Sequence, residues 1–268
     1  MNRKDLREAV CELAQSVSAD VVVLCECGAS AGDVLSILRS HVDAKFFMPP
    51  ENYAFVMPTD NRESRFQCFS RVAGLDLSEA YRGRRISIRH WKTVNDDRLM
   101  AFVHGVDVRN HGDAVRQSKM QELCRDIQYY VSLLGTSRLA LIGDFNMNPF
   151  DAALNLAAGM NAMMTRACTS RGARVLGGKP YDFYYNPMWS LFGDGTPGPA
   201  GTIYNRSSQG TYGWSMFDQV IVHHSLIPAF EKVEILTETG RRPLKNSSGR
   251  PDKKKFSDHF PILATFVN

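Results

Sequence analysis

RLALIGDFNMNPF, residues 138–150, runs a short apolar segment into a Gly-Asp-Phe-Asn turn and then a proline. The apolar part has the length and composition of a buried strand, and Gly143 stops it. The next residues form a loop, where chemistry concentrates. In an extended segment, residues two apart face the same way, so Asp144 and Asn146 are placed to address one bound group. The carboxylate can activate water and the amide can donate a hydrogen bond. Asn148 can cap a helix whose first position suits Pro149, which predicts a helix over 149–158. A strand-end Asp in a turn before an Asn cap also has a purely structural account.

Working outward, Leu6, Val10, Leu13 and Val17 recur at helical spacing over residues 5–17. VVVLC (21–25) then reads as a strand buried on both faces. It ends in Glu26, with Cys25 and Cys27 pointing to the opposite side. Further strands are predicted at 53–57, 66–72, 85–90, 99–104, 181–185, 217–222 and 262–267, and helices at 31–40 and 113–134. Glycine and proline between Trp189 and Trp214 argue against regular structure there and for a long surface excursion. RRPLKNSSGRPDKKK (241–255) reads as a mobile polar loop. With no internal repeat and no linker, the pattern predicts one layered α/β domain over 1–268.

Three more segments place polar groups at strand ends. SDHFPIL sets Asp258 and His259 just before the last strand, FDQVIV opens an apolar run with Asp218, and LMAFVHG ends one with His104. A carboxylate opening an apolar strand needs a partner. A histidine held by a carboxylate has a fixed tautomer and a raised pKa, which suits it to a phosphoryl oxygen or a proton transfer. Glu26 could offer a hard oxygen to Mg²⁺.

In this order, Glu26, His104, GDFN-x-x-P, FDQVIV and SDHFPI resemble the endonuclease/exonuclease/phosphatase superfamily, the DNase I-like fold, across almost the whole chain. The resemblance implies an α/β (α+β) chain, a two-layered β sandwich flanked by helices, with the site at one edge. It implies that Glu26 binds Mg²⁺ or Mn²⁺ with Asp258 near the metal. Asp144 would orient or deprotonate water, and Asn146 would hold a phosphate oxygen. Asp218 would orient His259, which would stabilise the phosphorus centre, and His104 would assist at the phosphate or leaving group. The chain departs from the family at its start: the usual first strand, ending in W-N, is missing. Met1 looks like the third residue of such a segment, and Asn2 would stand at a polar metal-site position. Either the start boundary is misplaced or the strand is lost.

Such a site fixes the bond type and leaves the substrate open. Arg82, Arg84, Arg85, Arg89 and Lys92 beside Tyr81 and Trp91 could grip phosphates and stack a base. Asn186 and Trp214 are candidate substrate contacts. A metal-dependent nuclease acting on nucleic acid is the leading expectation. A phosphatase or phosphodiesterase for a small phosphoester, such as an inositol phosphate, is the alternative, and a degenerate, non-catalytic binding protein is a third. The net charge of +4 is too small to demonstrate a polyanionic partner. The six cysteines are too scattered for a disulfide framework, and no apolar run nears the roughly 20 residues that span a bilayer. No membrane partner and a cytoplasmic location are therefore expected.

Overall fold

The structure, a computed structural model, describes residues 3–49, 55–56, 65–108, 110–206 and 212–267. The chain begins α1 (Arg3–Ser16), β1 (Val21–Cys25), α2 (Ala31–His41), β2 (Phe55–Val56), β3 (Phe66–Ser70), β4 (Glu79–Arg82), β5 (Ile86–Lys92) and β6 (Asp97–His104). It continues through α3 (Asp113–Leu134), β7 (Leu139–Asp144), α4 (Ala152–Asn155), β8 (Ala162–Met163), α5 (Arg166–Thr169), β9 (Ala173–Leu176), β10 (Lys179–Asp182) and β11 (Tyr184–Tyr185). β12 (Ile203–Asn205), β13 (Gly213–Ser215), β14 (Asp218–His223), β15 (Phe230–Ile235) and β16 (Ile262–Phe266) complete it.

Eight strands form the central sheet in the order β2-β4-β5-β6-β7-β14-β11-β8. The middle strands are apolar throughout because both of their faces are covered. Leu99, Ala101 and Val103 of β6 and Leu139 and Leu141 of β7 face α3, packing with Met120, Cys124 and Ile127. The alternate residues Met100, Phe102, Ala140, Val220 and Val222 face a second layer of strands. That layer has two parts, β1 paired with β3 and β15 paired with β16. Val21 and Val23 of β1 and Ile262, Ala264 and Phe266 of β16 pack against the same cluster. On the outer side, Val22, Leu24 and Phe69 meet Cys11 and Ala14 of α1 and Val34 and Leu38 of α2. The result is a β sandwich with helices on both sides, as the sequence led us to expect.

Several boundaries differ from the sequence reading. The helix expected over 149–158 shrinks to α4, because the Asn148 side chain does not cap it. Its Oδ1 accepts the Met216 N–H at 2.8 Å, and Asp151 takes the cap position. The chain then turns at Gly159, which packs so closely on Ala153 that a Cβ would lie 1.8 Å from its carbonyl oxygen. The strand at 181–185 breaks at Phe183 into β10 and β11. The excursion between Trp189 and Trp214 contains the β12–β13 hairpin, despite its glycines and prolines. Residues 241–255 are tied down in part, since Arg242 pairs with Glu8 and Glu12 of α1. Of the strand at 53–57, residues 53, 54 and 57 lie outside the described residues. Among the described residues, no helix is long and apolar enough to cross a membrane.

Candidate active site

Strand register builds the site. β6 runs parallel to β7 with His104 opposite Asp144, and β14 runs antiparallel to β7 with Asp218 opposite Asp144. Three polar residues from three neighbouring strands thus form one row at the sheet's end. The strand ends approach closely enough to require glycine. A Cβ on Gly143 (φ 146°) would lie 2.1 Å from the Val103 carbonyl oxygen, and one on Gly105 would lie 2.0 Å from that of Phe145.

Asp144 and Asn146 do meet, though not as alternate residues of an extended strand. Asn146 takes a left-handed φ of 50° and folds back. Its N–H donates to Asp144 Oδ1 at 2.7 Å and its Nδ2 donates to Oδ2 at 3.0 Å. Arg116 of α3 donates to the Asn146 carbonyl oxygen at 2.5 Å, pinning the turn from outside. These two bonds orient the carboxylate, a task beside the phosphate contact expected of Asn146. Burial and the neighbouring Asp218 charge push the Asp144 pKa up to about 7, against the pull of His259.

His259 stands beside the row, where it bridges to Ile203 of β12. Its Nδ1 is 2.7 Å from Asp218 Oδ2, the expected acid–imidazole pair. Burial alone would lower its pKa, but Asp218, through charge and hydrogen bond, together with Asp144 and Asp258, pushes it up to about 10. The ring is cationic at neutral pH. With Nδ1–H donating to Asp218, Nε2–H is the donor left for another partner.

His104 is buried. Arg65 donates to its Nδ1 at 2.9 Å, which leaves the ring proton on Nε2, 3.7 Å from Asp144 Oδ2. Burial lowers its pKa, and the Arg65, Arg85 and His259 charges add to that against the opposing pull of Glu26, so the ring is neutral. On its far side Glu26 Oε1 lies 3.8 Å from Nδ1 and accepts from Arg65 at 2.5 Å. Glu26 also holds a left-handed φ of 53°. Non-glycine residues in that region carry strain of about 1–3 kcal/mol, and such strain clusters at functional sites.

The donor set fits a hard dication. Asp144 and Asp218 bring carboxylate oxygens within 4.8 Å of each other and of His259, whose cationic ring stands beside them as a donor and not a ligand, and Glu26 adds an exposed carboxylate across His104. That convergent group differs from the expected ligands: it contains neither Glu26 nor Asp258, and Asn2 lies outside the described residues. Asn186 is 0% exposed, its Oδ1 accepting from Met188 N and its Nδ2 donating to Gln219, which makes it a buried strut between the Pro187 turn and β14. Trp214 packs its ring on Phe260, beside His259, and edge-on to Tyr204. Arg85 donates to the Gly105 carbonyl oxygen at 2.6 Å, bracing the strand end that carries His104. Sequence reasoning missed Arg65 and Arg116, since an arginine before a strand or on a helix carries no signal of its own.

No family model and no curated protein sequence matches the chain. Solved structures do. Truncated TDP2 from Caenorhabditis elegans is similar at 16% identity and a TM-score of 0.56, covering 100% of this chain and 93% of that one. A mannosyl-6-phosphatase from Bacteroides thetaiotaomicron is similar at 15% identity and a TM-score of 0.57, covering 99% and 93%. D. rerio TDP2 complexed with single strand DNA product is similar at 14% identity and a TM-score of 0.58, covering 100% and 94%. The chain has the endonuclease/exonuclease/phosphatase, DNase I-like, fold.

Proposed function

We propose that this chain is a Mg²⁺- or Mn²⁺-dependent phosphoester hydrolase whose substrate is a nucleic-acid phosphodiester. The observation that carries the reading is the row His104–Asp144–Asp218 with His259 closing on it. Glu26, Asp144 and Asp218 would hold the ion, which when bound supplies positive charge to the phosphoryl oxygens. Asp144 takes the proton of the attacking water as the new O–P bond forms and the bond to the leaving oxygen breaks. Asn146 holds Asp144 in line. Nε2–H of the His259 cation donates to a non-bridging oxygen, where charge builds in the transition state. His104, neutral, presents Nε2–H beside Asp144 and helps to keep the carboxylate oriented.

Nucleic acid is favoured by what borders the site. Tyr212, 70% exposed, and Trp214 both meet Tyr204 edge-on, and Arg250 covers the Tyr204 ring at 3.7 Å. Strand β12, which carries Tyr204, bridges directly to His259. Aromatic faces with cations beside a phosphate site suit stacked bases. On another side, Arg84, Arg85 and Lys119 line a groove of about 410 Å³, together with the acidic Glu122 and Asp126. A second reading, hydrolysis of a small phosphomonoester, is supported by the equally good likeness to a sugar phosphatase.

The deciding experiment incubates wild type and His259→Ala with single- and double-stranded DNA, RNA and sugar phosphates plus Mg²⁺. Cleavage of nucleic acid by wild type alone, falling steeply with salt, is expected because several phosphates are contacted. A shallow salt dependence with preference for the sugar phosphate would select the second reading. No hydrolysis of any substrate, together with no calorimetric Mg²⁺ or Mn²⁺ binding, would leave a non-catalytic binding protein.

A further inference from the structure

Asp182, His223 and His224 lie at the far end of β14 from the candidate active site. β14 begins at Asp218 in the active-site row and ends at His223, roughly 16 Å away at about 3.3 Å per residue. There the end of the β9–β10 hairpin brings Asp182 beside two consecutive imidazoles, and ligand atoms of all three residues lie within 4.8 Å of one another. Nothing in the hydrolytic machinery uses them.

The geometry points to a second metal site, in which Asp182, His223 and His224 bind one transition-metal dication of the Zn²⁺ class and clip the β9–β10 hairpin to the central sheet. His223 is the anchor. It is 2% exposed, with Tyr184 edge-on against its ring at 5.0 Å. Its Nδ1 is 2.8 Å from Ser225 Oγ, and that hydroxyl reaches the Ser137 carbonyl oxygen at 3.3 Å. The Ser225 N–H also donates to Nδ1 at 3.3 Å, which leaves the ring proton on Nε2. These contacts fix the ring with Nε2 turned to Asp182, as outer partners orient metal-bound histidines.

Nε2 faces Asp182 Oδ2 at 3.4 Å, long for the hydrogen bond it makes there, since N–H···O bonds usually span about 2.7–3.2 Å. A dication between the two would displace the Nε2 proton, and the ring proton would then sit on Nδ1, where Ser225 Oγ at 2.8 Å accepts it. Two ligands of one tetrahedral ion, bonded at about 2.0–2.1 Å, stand about 3.3 Å apart. The His224 ring centre is 4.2 Å from that of His223. Two imidazoles and one carboxylate, with water as a fourth ligand, select Zn²⁺ or Co²⁺ over Mg²⁺.

Co²⁺ serves as the probe, because its visible absorption reports coordination directly. It is titrated in excess Mg²⁺ into wild type, Asp144→Asn, Asp182→Asn and His224→Ala, with circular dichroism verifying the fold of each. The Asp182 side chain is more than half exposed, so its loss leaves the fold intact. One equivalent bound by wild type and by Asp144→Asn is expected, with affinity at least tenfold weaker in Asp182→Asn and His224→Ala and phosphoester hydrolysis unchanged in both. Absence of the signal from wild type, its loss in Asp144→Asn, or near-wild-type affinity in either Asp182→Asn or His224→Ala overturns the site. None of these outcomes depends on whether the chain hydrolyses phosphoesters.

Discussion

His259 owes its charge to one neighbour above all. Its pKa of about 10 comes from Asp218, Asp144 and Asp258 overcoming the effect of burial. In Asp218→Asn the largest of these supports goes, and the His259 pKa should fall toward about 6.5, its ordinary value; a titration of the ring protons by NMR measures this. Linkage gives the sign for stability. A histidine raised in the folded state contributes stability that is full below about pH 6.5 and is lost as pH rises through about 10. Urea melts should therefore separate wild type from Asp218→Asn most near pH 6 and least near pH 10, and an unchanging gap would discount the pair. For catalysis, His259→Ala removes the cationic donor and should lower the hydrolysis rate by about 10²–10⁴-fold with little change in fold. A loss below tenfold would take that role from it.

At the scale of elements, the site depends on struts between loops. Asn148 Oδ1 accepts the Met216 N–H, joining the turn after β7 to the turn before β14. Asn148→Ala leaves that buried N–H without a partner at about 1–3 kcal/mol. A thermal melt should show a fall of about 2–4 °C for each kcal/mol, with Asn148→Asp, which keeps an acceptor oxygen, losing less. The same asparagine illustrates what could be read in advance. Its capping propensity was legible and its use was not, because a partner 68 residues away leaves no local mark. Helix α3 matches its predicted bounds, and β6, β7 and β14 are found near theirs, because a strand covered on both faces must be apolar along its length. β15 escaped notice since FEKVEI places Glu231 and Lys232 outward and a bulge between Phe230 and Lys232 breaks the alternation. GDFN and SDH stood out as polar groups set at apolar strand ends. Asn186 is the opposite case, a polar residue beside aromatics in the sequence whose hydrogen bonds are internal, which no local pattern reveals.

Across the whole molecule, the sandwich is uneven. The central sheet has eight strands, whereas the opposing layer is two separate pairs. Among the described residues β1 pairs only with β3 and β16 only with β15, so each leaves one edge without a strand. Both carry apolar residues, VVVLC and ILATF, that contribute to one cluster while remaining only half-buried in the main. Unpaired edges and half-covered apolar faces leave both pairs open to a further strand. The end of β1 leads to Glu26 and the start of β16 comes just after His259, so a strand laid between them would also terminate beside the site. An amino-terminal extension of about five or six apolar-alternating residues ending in Trp-Asn provides one. It should raise the melting temperature by several degrees, slow amide exchange in β1 and β16, and increase Mg²⁺-dependent hydrolysis by placing an additional polar ligand near Glu26 and Asp144. Identical melting, exchange and activity with and without the extension would mean that the two strand pairs are already complete as they stand.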